Sequence, residues 1–163
     1  MGIQKKINFL EVVDKQNRVI AHLPENEIHK QGLLHRLIAV LAFSKDKKII
    51  LKKRKNKNKP YFGHYDLINI HFYPTYSSIE LAQNIIYSSL KPHPNRIDFL
   101  YIIKSNYTLC NEFIYLYKCT INQESNILQT KDLLCIFPHE ITVLKSKILF
   151  TPLCISILEK IYL

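Results

Sequence analysis

Apolar and polar residues alternate through residues 7–13 (INFLEVV), which predicts a strand. Asp14–Asn17 supplies turn residues, and a second strand follows at Arg18–His22. Pro24-Glu25-Asn26-Glu27 reads as a loop or a short helical turn running to Gly32. Residues 34–43 (LHRLIAVLAF) form a long apolar run whose periodicity admits a helix. The Ser44–Lys48 turn and the strand-like KKIILKKR behind it favour a hairpin instead. Lys55 to Gly63 reads as a loop. Ser77 opens the clearest helix: Ser77 and Glu80 have capping-box spacing, and Ile79, Ala82, Ile86 and Leu90 recur at helical intervals. Pro92 and Pro94 stop it. Residues 97–104 and 112–121 read as paired strands, the second alternating Phe113, Tyr115 and Tyr117. A last helix starts at Thr151-Pro152, with Leu153, Ile157, Leu158 and Ile161 facing inward. The order strands, helix, strands, helix predicts an α+β chain with a mixed sheet.

Composition narrows the class. A chain of 163 residues, 47% hydrophobic and 22% charged, is expected to form one domain over 1–163 with a real core. The longest apolar runs, Leu33–Phe43 and Ile148–Ile157, are too short or too interrupted to span a bilayer. No leader-like segment opens the sequence, so a cytoplasmic location is expected. Three glycines (Gly2, Gly32, Gly63) are too few for a Rossmann fingerprint or a P-loop. Cys110, Cys119, Cys135 and Cys154 lack CxxC or zinc-ribbon spacing and read as reduced residues, several in the core.

The formal charge is +10, and residues 45–59 (KDKKIILKKRKNKNK) hold nine basic side chains and one acid, a net 9 − 1 = +8. Such a run attracts polyanions: nucleic acid, an anionic surface or a diphosphate. It also fits a solvated hairpin. Tyr61, Phe62, Tyr65, Phe72, Tyr73 and Tyr76 crowd the stretch that follows, where aromatic rings would stack on bases or pack into the core.

Five segments in succession carry a resemblance: EVVDKQNRVIAH, EIHKQGLLHR, KKIILKKR, YFGHYD and FTPLCISILEKI. In this order they resemble the Nudix hydrolase superfamily, in its isopentenyl-diphosphate-isomerase-like branch, from about residue 8 to the C-terminus. The resemblance implies an α/β/α sandwich with a central mixed β-sheet. It also implies diphosphate hydrolysis or isomerisation that depends on divalent metal.

The family's box, G-x5-E-x7-R-E-U-x-E-E-x-G-U with U a bulky aliphatic residue, is degenerate here. Laid from Ile70, it puts Ile70 at the first glycine and Tyr76 at the lone glutamate. Asn84-Ile85 falls at the Arg-Glu pair, Ser88-Ser89 at the Glu-Glu pair and Lys91 at the last glycine. Ile86 keeps its aliphatic place. Glu80 is the only acid between Asp66 and Asp98, so no other register supplies a carboxylate cluster. Hard cations need several carboxylate oxygens on one helical face. Mg²⁺ is therefore not expected on this helix, nor is ordinary Nudix hydrolysis.

A second metal site, which the resemblance implies outside the helix, is better preserved. His29 and His35 match the branch's two early histidines, and His71 matches the later one. Glu112 aligns with the second acid of the isomerases' E-N-E, whose first acid is Cys110 here. Three imidazoles and a carboxylate suit one Zn²⁺ or Mn²⁺ ion better than Mg²⁺. The isomerases' catalytic cysteine falls at Asn69 or Ile70, so a proton-shuttling thiol is missing there. Tyr101 matches a site-lining tyrosine; with Glu112 it is the candidate catalytic residue if activity persists. Arg54 and Lys59 match phosphate-binding positions, and Lys53 thickens the field.

Three functions remain open from sequence. One is a catalytically degenerate Nudix-fold protein that binds a phosphorylated small molecule or a partner. Another is a metal-dependent diphosphate hydrolase or isomerase using His29, His35, His71 and Glu112. The third is a nucleic-acid binder using residues 45–59, with steep salt dependence. The oligomeric state is not legible.

Overall fold

The run at 34–43 is a strand, β3 (His35–Phe43), and it sits at the centre of the architecture. All its residues but Arg36 are buried, because neighbouring strands flank it and helices cover both faces. A strand covered on both faces reads as a continuous apolar run, which is why its sequence also admits a helix. The computed structural model describes residues 8–107 and 110–162, the side chains of 106, 107 and 110 excepted.

The chain opens with the hairpin β1 (Phe9–Val13) and β2 (Val19–Pro24), then α1 (Glu25–Gln31). Of the loop or short helical turn expected to run to Gly32, the helical alternative is the observed one, as a two-turn helix. It ends at Gly32, whose φ of 63° lets its amide and that of Leu33 bond back to His29 and Ile28. After β3 come β4 (Ile49–Lys53), β5 (Tyr65–Asp66), β6 (Ile68–His71) and α2 (Ser78–Ser89). The long antiparallel pair β7 (Ile97–Tyr107) and β8 (Cys110–Thr120) follows, then α3 (Ser125–Leu128) and β9 (Leu133–Ile136). The chain continues through a short 3₁₀ turn (Pro138–Glu140), α4 (Ile141–Leu144) and α5 (Pro152–Tyr162). The sequence pattern does not predict β5, β6, α3, β9 or α4; at two to four residues each, they are too short to show a period.

The described strands form one mixed sheet. β3 pairs antiparallel with β1, β4 and β6, and parallel with β8 along its whole length. β2, β7, β5 and β9 extend it outward. One face packs under α2 through Ile38, Val40, Ile68 and Tyr117. The other packs under α4 and α5 through Leu37, Leu41, Ile114 and Leu116. The expected α+β class, with a central mixed sheet between helices, is the observed one.

The cap of α2 forms as its sequence predicts: the Ser77 hydroxyl accepts from the Glu80 amide, and the Glu80 carboxylate accepts from the Ser77 amide. Its inward face needs one correction. Leu81, Ala82, Ile86 and Leu90 are buried, whereas Ile79 is 37% exposed. Ile79 lies in the first turn, before the helix settles onto the sheet. In α5, Leu153, Ile157 and Leu158 face the core as expected, with Ile161 packed at its margin. Among the described residues, no helix is long and apolar enough to cross a membrane.

Candidate metal centre

Four elements deliver one side chain each to a single point. His29 comes from the last turn of α1, His35 from the start of β3, His71 from the end of β6 and Glu112 from β8. Register explains the meeting. Glu112 lies directly opposite His35 in the parallel β3–β8 ladder, and His71 lies opposite Leu37, two residues along the same face. Gly32 reverses the chain between α1 and β3, which folds His29 over the pair. The three rings are 5.1–5.5 Å apart between centroids, and one donor atom from each of the four residues falls within 4.8 Å of all the others.

The tautomer of His35 follows from its surroundings. Its Nδ1 lies 2.9 Å from the Leu33 carbonyl oxygen, which can only accept, so the proton sits on Nδ1. In the neutral ring Nε2 is then a lone pair, 3.2 Å from Glu112 Oε1, on a side chain 3% exposed and with no hydrogen-bond donor. Two acceptors facing each other in a buried site repel unless a cation or proton lies between them. His71 presents Nε2 to Glu112 Oε1 at 3.9 Å and turns Nδ1 toward Glu25 Oε1 at 3.5 Å. Burial holds both His29 and His71 below the ordinary imidazole range, His71 well below it. Neutral imidazoles, one of them anchored through its distal nitrogen, are the form that ligates metal. Three nitrogens and one carboxylate oxygen fit a borderline cation such as Zn²⁺ or Mn²⁺. The Cys110 side chain falls outside the described residues.

The cluster forms one wall of a cavity of about 1500 Å³. Arg54, Lys59, Asn69, Ile70 and Asp66 also line it. Lys59 and Arg54 stand on the loop between β4 and β5, which is closed by backbone bonds from Arg54 to Gly63 and His64. The Arg54 guanidinium donates to Asp66 Oδ2 at 3.0 Å, and the Lys59 ammonium pairs with Glu25. Asp66 is 2% exposed and accepts four bonds: from Arg54, Asn69, the Thr151 hydroxyl and the Leu67 amide. Burial pushes its carboxyl upward, while Thr151 and Arg54 draw it back down.

Other sequence candidates lie elsewhere. Tyr101 on β7 does not line the cavity, and the Lys53 ammonium lies 5.6 Å over the Tyr65 ring. Tyr76 precedes α2, and Asn84, Ile85, Ser88 and Ser89 lie on it; none of them lines the cavity. Ser89 Oγ instead accepts from the Lys52 ammonium at 3.0 Å. Glu80, the one acid of α2, is spent on the cap, so this helix does not fit a hard cation. The basic run is interrupted by the apolar Ile49–Leu51 of β4: Lys45, Lys47 and Lys48 precede them and Lys52 to Lys59 follow, about 13 Å from Lys48 to Lys52 at strand rise. Lys45, Lys48, Arg54, Lys55 and Lys59 each have an acidic partner.

Sequence reasoning missed Glu25 and Asp66. Glu25 carried no signal, being one acid in a polar stretch after a proline. Asp66 had one: a lone acid in the otherwise uncharged stretch YDLINI.

No family model matches the chain, and no curated protein matches it. Solved structures do. DR0079 from Deinococcus radiodurans superposes with a TM-score of 0.74 at 10% identity, covering 96% of this chain and 100% of that one. The NUDIX domain of Shewanella oneidensis NrtR, complexed with ADP ribose, gives 0.59 at 14% identity over 85% of this chain and 97% of that one. RenU, a Nudix hydrolase from M. smegmatis, gives 0.56 at 7% identity over 93% and 91%. The chain therefore has the Nudix fold.

Proposed function

We propose that the protein binds one divalent transition-metal ion, Zn²⁺ or Mn²⁺, through His29, His35, His71 and Glu112, and takes a phosphorylated small molecule in the adjoining cavity. The convergence of four donor atoms within 4.8 Å of one another, with the buried Nε2 of His35 facing the Glu112 carboxylate, carries this reading, since one cation satisfies all four together. The ion, when bound, supplies Lewis-acid polarisation of a phosphate oxygen.

The chain's own residues do the rest. Lys59 attracts the phosphate as a point charge, and Arg54, steadied by Asp66, offers its remaining N–H groups in a planar fork. The isomerase branch has its cysteine where Asn69 or Ile70 stands here, and the Asn69 amide is bound to Asp66 and the Leu67 carbonyl. Neither residue provides a proton-shuttling thiol, which weighs against isomerisation by that route. The lack of a carboxylate cluster on α2 weighs equally against the ordinary Nudix reaction. The remaining assignment is a Nudix-fold protein of the isomerase-like branch that binds phosphorylated ligands at its histidine centre, with Glu112 as the candidate catalytic group. The ADP-ribose complex of the NrtR domain supports a cavity of this fold that admits a phosphorylated ligand. The division of residues 45–59 by β4 weighs against a continuous nucleic-acid stripe.

Isothermal titration of metal-stripped protein with Zn²⁺, Mn²⁺ and Mg²⁺, repeated on His71→Ala, tests this. One tight zinc or manganese site that the variant loses is the expected result. At free zinc one hundred times Kd, the wild type gains about 2.7 kcal/mol of stability. Absence of binding by all three metals refutes the reading.

A further inference from the structure

Glu25 faces two groups of opposite demand. Its Oε1 takes the Lys59 ammonium, the cation that would meet a phosphate, and also lies 3.5 Å from Nδ1 of His71, the nitrogen turned away from the cluster. The carboxylate is mostly buried, and its neighbours line the same cavity. Arg54 differs in kind, because Asp66 is fixed by three other donors and holds the guanidinium through one nitrogen. Lys59 is thus the cation whose partner can be shared.

We propose that Glu25 is a shared carboxylate which couples cation binding at the histidine cluster to phosphate binding at Lys59. This inference rests on the metal reading above. With a cation on Nε2, the Nδ1–H of His71 becomes a stronger donor and draws the Glu25 carboxylate toward it, as outer-sphere carboxylates do in histidine metal sites. That movement releases Lys59 for an anion. In the other direction, a phosphate at Lys59 displaces Glu25 toward His71 and tightens the metal. Linkage makes the two effects equal in free energy. Glu25 is a positioning residue in this scheme and touches neither the ion nor the reacting atoms.

Glu25→Gln and Lys59→Met separate the arms, with inorganic phosphate and Zn²⁺ titrated by calorimetry singly and each in the presence of the other, and melting temperatures confirming the fold. In Glu25→Gln without metal, Lys59 loses its internal counterion and phosphate binds more tightly, by about five-fold or more. The same variant binds zinc about ten-fold more weakly. Lys59→Met reverses both signs, since Glu25 is then free for His71. A carboxylate that acts by its charge alone also shifts the two affinities oppositely, but only a shared one makes saturating zinc tighten phosphate binding more in the wild type than in Glu25→Gln. Zinc binding by the wild type together with unchanged or weakened phosphate binding in Glu25→Gln overturns the shared carboxylate alone. Absence of zinc binding by the wild type overturns the metal reading and the coupling with it.

Discussion

Replacing Asp66 with alanine removes a carboxylate that joins three parts of the fold. Its Oδ1 accepts from the Thr151 hydroxyl at 2.7 Å and the Leu67 amide at 2.9 Å, and its Oδ2 accepts from Arg54 at 3.0 Å and Asn69 at 3.1 Å. The Thr151 oxygen in turn accepts from the Cys154 amide and so caps α5. The substitution strands a partly buried guanidinium and loosens the seat of α5 against the sheet. Breaking a buried ion pair from one side costs about 3–5 kcal/mol. For a chain of this size that lowers the melting temperature by roughly 6–20 °C. Asp66→Asn keeps the shape and one acceptor, so its cost falls to about 1–3 kcal/mol, the penalty for one unsatisfied buried group. Urea unfolding followed by circular dichroism measures both, and Thr151→Val completes a double-mutant cycle with Asp66→Ala. A loss below about 1 kcal/mol for Asp66→Ala, or additive effects in the cycle, would refute the claim that this carboxylate joins these parts of the fold.

Two further predictions concern pH and the cap of α2. Burial keeps His71 neutral in the folded chain, whereas the unfolded chain protonates it below about pH 6.5, so the unfolded state binds more protons there. Metal-free protein therefore loses stability as pH falls through and below that value, by up to about 1.4 kcal/mol per pH unit from this residue, and gains nothing further above it. Urea midpoints at pH 5.5 and 7.5 should differ more for the wild type than for His71→Gln; equal differences would show that the ring titrates alike in both states. Ser77→Ala removes an acceptor from the Glu80 amide and a donor to the Glu80 carboxylate, and should cost about 1 kcal/mol in the same assay. No measurable loss would mean that packing of Leu81 and Ile86 alone fixes the start of the helix.

What could be read from sequence depended on how local the signal was. The β1–β2 hairpin, the capped α2 and the start of α5 each rest on contacts within a few residues, so their chemistry is written contiguously. The elements that escaped, β5, β6, β9, α3 and α4, are held by strands and helices distant in the chain. Tyr65 and Asp66 pair with Lys53 and Lys52, and Leu133–Ile136 pairs with β4. Ile79 keeps the helical period yet is 37% exposed, because a period marks a helix but not where its face first touches the sheet.

The candidate centre divides in the same way. Sequence determined that three histidines and a glutamate were present at suggestive positions, that α2 carried no carboxylate cluster, and that Lys59 and Arg54 stood in a basic stretch. Tertiary structure decided that the four ligands converge. It did so through the parallel register that sets Glu112 beside His35 and the antiparallel one that sets His71 beside Leu37. It also decided that Glu25 faces both Lys59 and His71, and that Asp66 lies under Arg54. A strand register is fixed by burying apolar faces over its whole length, and a one-residue slip would turn every side chain to the opposite face. Residue types are therefore legible one at a time, but their meeting belongs to the sheet.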